Sequence, residues 1–234
     1  MKIFAKIRGV YAAVVIIFFV TLNILAFMLF PKKHYKKLKI FFTRTILAFL
    51  GIKVVTEGKV DPDAKMIIMN HSSFIDIPVI EAVYPIDIVW IAKKELFDTP
   101  FFGLLLKLPE NIRLDREDRK SLVHLLKESK EKSKHKTIAI FPEGTRARAN
   151  KLLPFKPGAK IIADKLQLKV QPIIIVCARD RFDSKKLELN PGIIKVKYLS
   201  SFYPDPKSDW LKELRNTMQQ EIDKERATLC PQAQ

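Results

Sequence analysis

The sequence predicts an α/β domain with a largely parallel or mixed sheet flanked by helices, preceded by a two-helix membrane anchor. Three observations support this fold class. Short runs rich in Ile and Val alternate with helical patterns from residue 53 onward, a long apolar stretch precedes them, and positive charge flanks that stretch. At 234 residues the chain is long enough for one such domain with an appended segment.

Residues 1–52 are the predicted anchor. Residues 10–30 are almost entirely apolar, and a helix of that length spans about 30 Å, one hydrocarbon thickness. The run exceeds a signal-peptide core and ends in FPKKHYKK without a small-residue cleavage site, so we expect it to be retained. Residues 35–51 mix Phe, Leu and Ile with Lys and Arg, which favours a helix among lipid head groups. A spanning first helix and a hairpin that enters one leaflet both fit this pattern.

The charge distribution predicts a lipid partner. The formal net charge of +17 favours anionic partners in general: nucleic acid, anionic membranes or phosphorylated substrates. No acidic residue precedes Glu57, and the cations of this region flank the apolar stretch, for which a nucleic-acid-binding protein has no use. We therefore expect an anionic membrane surface and no nucleic acid.

Residues 53–234 are predicted to form the catalytic-sized α/β domain. Its predicted strands are residues 53–57, 65–69, 87–92, 111–115, 137–141, 171–176 and 193–199; several are apolar throughout, as strands covered on both faces should be. Predicted helices cover residues 117–135 and 158–166, and a last one begins near Ser208, a suitable N-cap.

The two cysteines, Cys177 and Cys230, are far apart in the sequence and outside any cluster. They predict neither a disulfide framework nor a zinc site, which is compatible with a reducing, cytosolic environment. We expect Cys177, at the end of an apolar run, to be a packing residue.

The stretch MIIMNHSSFIDIP, residues 66–78, places a histidine after an apolar run and an aspartate five residues later. On one helix these side chains would lie about 140° apart. They can meet if His71 lies in the turn after a strand and Asp76 in the first turn of the next helix. A carboxylate that accepts from one imidazole nitrogen leaves the other free to take a proton. A loop histidine beside a helix-capping aspartate is the alternative interpretation.

Two serines beside this histidine, Ser72 and Ser73, raise the alternative of a serine nucleophile. The strained G-x-S-x-G turn that such a nucleophile requires is missing from the sequence around them, which argues against this chemistry.

The stretch TIAIFPEGTRARAN, residues 137–150, combines a strand, a glycine turn, a hydroxyl and a guanidinium. Arg146 with Thr145 and the backbone N–H groups freed by Gly144 would suit a phosphate, and Glu143 could hold the arginine or accept from a substrate hydroxyl. The lysine and glycine run of a nucleotide-binding P-loop are missing. An ordinary polar turn with a surface arginine is the alternative.

Together, these two stretches resemble the sequence boxes of the glycerolipid acyltransferases. NHSSFID is similar to the family's N-H-x-x-x-x-D box, and FPEGTR to its box of the same letters. Weaker similarities follow in the family's order: KKELFDTPFFG (93–103), IRLDR (112–116), and Val170 with Pro172. The resemblance covers residues 53 to about 200 and is strongest to the bacterial members that act on lysophosphatidate.

The resemblance implies an enzyme of phospholipid biosynthesis, on the cytoplasmic side of the bacterial inner membrane. It would move a fatty acyl group from acyl-CoA or acyl carrier protein to the sn-2 hydroxyl of lysophosphatidic acid, giving phosphatidic acid, without a metal or other cofactor. His71 would be the general base and Asp76 its orienting carboxylate. The implied substrate-binding residues are Glu143, Gly144, Thr145, Arg146, Arg116 and Lys93.

Two alternatives remain open from the sequence. A related acyltransferase acting on glycerol-3-phosphate or another lysophospholipid would carry the same boxes. A non-enzymatic, basic membrane-binding protein would carry them as structural turns.

Overall fold

The computed structural model describes residues 2–115, 120–147 and 151–230. Its helices are α1 Lys2–Leu29, α2 Tyr35–Phe49, α3 Asp76–Val83, α4 Lys94–Phe97, α5 Phe102–Lys107, α6 Lys120–Lys132, α7 Gly158–Leu166, α8 Ala178–Arg181 and α9 Trp210–Leu229. Its strands are β1 Ile52–Glu57, β2 Met66–Met69, β3 Ile88–Lys93, β4 Ile112–Leu114, β5 Thr137–Ile140, β6 Val170–Val176, β7 Phe182–Asp183, β8 Glu188–Leu189 and β9 Gly192–Tyr198. A 3₁₀ turn, Lys32–His34, joins α1 to α2.

A seven-stranded mixed sheet organises the chain, in the order β1-β9-β6-β2-β5-β3-β4. Strands β6, β2, β5, β3 and β4 run parallel, whereas β9 is antiparallel to β6 and β1 follows the direction of β9. Each of the seven predicted strands is present, and the predicted α/β class is confirmed. Because the central strands are parallel, the loops after β2, β5 and β6 leave the sheet at the same edge.

Helices cover both faces of the sheet. Met66 and Ile68 of β2 face α6, α7 and α9, whereas Ile67 and Met69 face the layer of α1, α2 and α3. All four side chains are fully buried. This explains why β2 is apolar throughout: successive side chains point to opposite faces, and both faces are covered.

Of the predicted two-helix anchor, the structure shows one long apolar helix, α1, rather than two. Among the described helices, α1 is the one that is long and apolar enough to cross a membrane. One face packs into the protein core through Ala12, Val15 and Ile24. The other exposes large apolar side chains, among them Ile3, Phe4, Ile7, Val14, Ile17, Phe18 and Leu25. An exposed apolar face made of this many large side chains indicates membrane association. Helix α2 is shorter and more polar.

A buried lysine connects α2 to the α/β layers. Lys39 is 8 % exposed; its Nζ lies 2.9 Å from Asp87 Oδ1 and 3.3 Å from Glu81 Oε1 and donates to the carbonyl of Ile88. Burial lowers the pKa of Lys39, but the two carboxylates outweigh burial and hold that pKa above its usual value. The predicted boundary between residues 52 and 53 stays a prediction; it falls at β1, and the core continues across it.

Two local expectations were wrong. Cys177 and Cys230 form a disulfide, with their Cα atoms 6.2 Å apart. The pairing links the end of β6 to the end of α9, and a sequence separation of 53 residues carries no signal of that proximity. The last helix is preceded by Asp209 rather than capped by Ser208, whose hydroxyl donates to Asp205 in the turn before it.

Candidate active site

His71 and Asp76 meet as the sequence geometry predicted. His71 lies in the turn after β2, and Asp76 opens α3. Asp76 is fully buried, and its Oδ2 accepts from the backbone N–H groups of Ser72 and Ser73 at 2.7 and 2.8 Å. The same oxygen lies 2.8 Å from His71 Nδ1. A carboxylate held by these donors is a strong acceptor, which favours the imidazole tautomer with its hydrogen on Nδ1 and leaves Nε2 as the acceptor nitrogen.

A ring stack fixes the plane of the imidazole. The ring of Phe141, directly after β5, lies parallel to that of His71 with centroids 4.0 Å apart. Trp90 of β3 stacks on the other side of Phe141 at 5.2 Å. His71 still exposes 16 % of its side chain, and in the described part of the chain its Nε2 has no hydrogen-bond partner. The imidazole is therefore oriented through one nitrogen and accessible at the other.

The turn at residues 143–147 holds both backbone groups of His71. The N–H of His71 donates to Glu143 Oε1 at 2.8 Å, and the carbonyl of His71 accepts from the N–H of Ala147 at 2.8 Å. Gly144 adopts φ of +68° and donates to the carbonyl of Phe141, which closes the tight turn. The two conspicuous sequence stretches thus form one hydrogen-bonded unit.

Glu143 is buried rather than exposed to a substrate. It is 1 % exposed, and its second oxygen, Oε2, accepts from the N–H of Leu153 at 2.8 Å. Burial raises the pKa of the Glu143 carboxyl, and the backbone N–H groups of His71 and Leu153 offset part of that rise. With both oxygens occupied by backbone donors, the carboxylate braces the loops around the imidazole.

Arg146 projects from the same turn toward a third segment. Its Nη1 donates to Ser184 Oγ at 2.8 Å, and it lines a cleft together with Ser72 and Ser73. Thr145 is exposed beside it. A half-buried guanidinium at the edge of a cleft that begins at the histidine turn suits an anionic substrate group.

The other sequence-predicted residues lie elsewhere. Lys93 is exposed at the end of β3, and β3 is separated from β2 by β5. Arg116 lies outside the described residues. The hydroxyl of Ser73 donates to the carbonyl of Phe182 at 2.6 Å, so it is occupied by a structural contact rather than activated by His71.

Sequence reasoning missed two residues that brace the site. The side chain of Asn70 exchanges hydrogen bonds with both backbone groups of Ile175 on β6, at 2.9 and 2.7 Å. Arg179 donates to the carbonyl of Ala147 at 3.2 Å and to Asp183 at 3.3 Å. Asn70 lies inside a recognisable box and could have been noticed, whereas the position of Arg179 depends on the sheet topology and has no local signal.

This geometry suits general-base chemistry on an anionic substrate. An oriented imidazole can take a proton from a hydroxyl, and a guanidinium in the adjoining cleft can hold a phosphate on the same molecule.

Comparisons with known proteins specify the class further. A family profile described as "Acyltransferase" matches residues 51–176. The 1-acyl-sn-glycerol-3-phosphate acyltransferase of Helicobacter pylori is 45% identical over 174 residues, 73% of this chain and 73% of that protein. Its namesake in Escherichia coli is 29% identical over 188 residues, 75% and 76% of the two chains. The crystal structure of the Thermotoga maritima 1-acyl-sn-glycerophosphate (LPA) acyltransferase superposes with a TM-score of 0.76 at 23% identity, over 96% of each chain, which supports the fold.

The chain belongs to the acyltransferase family. The resemblance inferred from the two boxes is therefore confirmed, and the protein is an acyltransferase rather than a non-enzymatic membrane-binding protein.

Proposed function

We propose that this enzyme transfers a fatty acyl group from a thioester donor, acyl-CoA or acyl carrier protein, to the sn-2 hydroxyl of lysophosphatidic acid. The product is phosphatidic acid. The observation that carries the proposal is the joining of two features in one unit: an imidazole oriented by Asp76 and a cleft that holds Arg146. The names of the relatives support this acceptor.

In the proposed reaction, the oxygen of the acceptor hydroxyl attacks the thioester carbonyl carbon while His71 Nε2 takes the hydroxyl proton. The carbon–sulfur bond breaks, the thiolate leaves, and the imidazolium returns the proton to the sulfur. Asp76 stabilises the imidazolium through Nδ1. The acceptor oxygen attacks the thioester directly, so the proposed reaction forms no acyl-enzyme, and none of its steps calls for a metal or other cofactor.

Arg146 is proposed to hold the acceptor phosphate, with Thr145 and the turn at Gly144 beside it. Glu143 is proposed to act as a positioning residue, because both of its oxygens bond backbone N–H groups. Arg116 and Lys93 remain proposed contributors of positive charge.

The proposed location is the cytoplasmic side of the bacterial inner membrane. The apolar face of α1 would contact lipid, and the acceptor would enter from the bilayer. The cytosol keeps protein cysteines reduced, so we expect Cys177 and Cys230 to be free thiols there and to form their disulfide after exposure to air.

Replacement of the base tests the mechanism. His71→Ala should lower kcat by at least ~10²-fold in detergent with lysophosphatidate and acyl-CoA, because a positioned general base is lost. His124→Ala, on the exposed surface of α6, is the matched control and should keep the wild-type rate. A His71→Ala enzyme with wild-type turnover would exclude this mechanism.

The same assay tests the acceptor. Lysophosphatidate and glycerol-3-phosphate should be offered separately, with product identified by mass spectrometry. We expect phosphatidate from the first and little product from the second. Activity with glycerol-3-phosphate alone would instead support the alternative acceptor.

A further inference from the structure

A short hairpin outside the recognised boxes forms part of the cleft. It consists of β7 and β8 with the connecting residues 184–187. Its first residue, Phe182, accepts the hydroxyl of Ser73 from the histidine turn, and Ser184 accepts from Arg146. The hairpin therefore contacts both the loop that carries the proposed base and Arg146, the residue proposed to bind the phosphate.

Asp183 sets the shape of the hairpin turn. Its Oδ1 accepts from the backbone N–H groups of Lys185 at 2.9 Å and Lys186 at 3.2 Å, and its Oδ2 accepts from Arg179. Burial raises the pKa of the Asp183 carboxyl, but the backbone N–H groups of Lys186 and Lys185 together with the guanidinium of Arg179 outweigh it and hold that pKa below its usual value. These hydrogen bonds tie the turn to Asp183 and, through it, to Arg179.

The two lysines of this turn differ in position. Lys185 lines the cleft with Ser72, Arg146 and Ser184, whereas Lys186 does not line it. Both are exposed. Among the contacts of the described residues, the ammonium group of Lys185 has no hydrogen-bond or ion-pair partner, whereas the guanidinium of Arg179 in the same cleft is bonded to Asp183 and Ala147.

We propose that Lys185 is a second phosphate-binding residue, which acts with Arg146 on the acceptor's phosphate. This inference rests on the proposed function. A phosphate monoester carries a charge of about −1.5 to −2 at pH 7, so one guanidinium leaves part of it uncompensated. A lysine supplies a mobile point charge that complements the directional arginine. Lys185 thereby favours acceptors with a monoester phosphate over those whose phosphate is esterified twice.

Steady-state kinetics of three variants test the proposal. Lys185→Gln should raise the KM for lysophosphatidate about tenfold, the loss of one charge-assisted hydrogen bond, with kcat and the donor KM within about twofold of wild type. Lys185→Arg should restore most of the acceptor affinity. Lys186→Gln, in the same turn but off the cleft, should leave all constants within about twofold.

The outcomes separate the possible roles. Equal effects of Lys185→Gln and Lys186→Gln would mean that the hairpin attracts anionic micelles in general, and would overturn the proposal. An unchanged acceptor KM in Lys185→Gln would overturn it as well, while an active wild type left the proposed function standing. A wild type that acylates no lysophosphatidate, assayed beside an active relative, would refute the proposed function itself.

Discussion

Replacing Glu143 by glutamine distinguishes a bracing carboxylate from one that contacts the substrate. Glu143 accepts from the N–H of His71 through one oxygen and from the N–H of Leu153 through the other, both at 2.8 Å, inside the protein. Glutamine offers one oxygen and one NH₂ group. One of the two backbone N–H groups would therefore face another donor.

The cost follows from these contacts. One charge-assisted hydrogen bond is lost, worth about 1.5–3 kcal/mol, and a buried N–H is left without an acceptor, at about 1–3 kcal/mol. The neutral amide is easier to bury than a carboxylate, which offsets part of this cost. We expect the free energy of unfolding to fall by about 2–4 kcal/mol and kcat to fall about 10–100-fold, because His71 is displaced from its productive position.

Urea denaturation followed by circular dichroism in detergent measures the first effect, and initial rates at saturating substrates measure the second. The control is Glu131→Gln on the exposed surface of α6, where Glu131 forms a surface ion pair with Lys134 and stability should change by less than about 0.5 kcal/mol. A Glu143→Gln enzyme with the wild-type unfolding midpoint and a raised acceptor KM would show that this carboxylate contacts substrate, and would refute the reasoning.

Two further predictions concern stability. Cys230→Ser should lower the unfolding free energy by about 2–4 kcal/mol in oxidising buffer, because the Cys177–Cys230 pair closes a long loop. A reducing agent should lower the unfolding free energy of the wild type to the same value. A wild type whose unfolding free energy does not respond to the reducing agent would contradict this. Hydrogen bonds from Lys169, Ser201 and the N–H of Asp63 lower the pKa of Asp61 to about 2. The contribution of this lowered pKa to the free energy of unfolding is complete above about pH 4 and is lost as pH falls toward 2. Asp61→Asn should therefore flatten the dependence of the unfolding free energy on pH in that window. Parallel pH dependences of variant and wild type, from urea titrations at each pH, would be the contrary result.

The centre of the sheet could be predicted because its strands there are short, mostly apolar and covered on both faces. Such strands differ from their surroundings in composition alone, and β2 and β6 are the clearest examples. The meeting of His71 with Asp76 could also be predicted, since it depends on a five-residue turn between a strand and a helix. So short a separation restricts where the two side chains can lie relative to each other.

Contacts between distant segments could not be predicted in this way. The disulfide, the bond from Arg179 to Ala147 and the place of Lys185 beside the histidine turn all depend on how β6 and the following hairpin lie against β2. The sequence also identifies Glu143 as a carboxylate without telling where it points. Its two backbone partners come from segments on either side of it, and only the folded loops bring them to opposite oxygens.

The ion pairs of Lys39 have a consequence for how small this enzyme can be made. Glu81, which bonds Lys39, also accepts the indole N–H of Trp90 at 2.8 Å, and that ring supports Phe141 beneath the imidazole. A fragment without α1 and α2 would lose Lys39, the cation that pairs with Glu81. It would also expose to water the apolar core residues that these two helices cover. We therefore expect such a fragment to aggregate, because the helices that contact lipid also support the rings beneath His71.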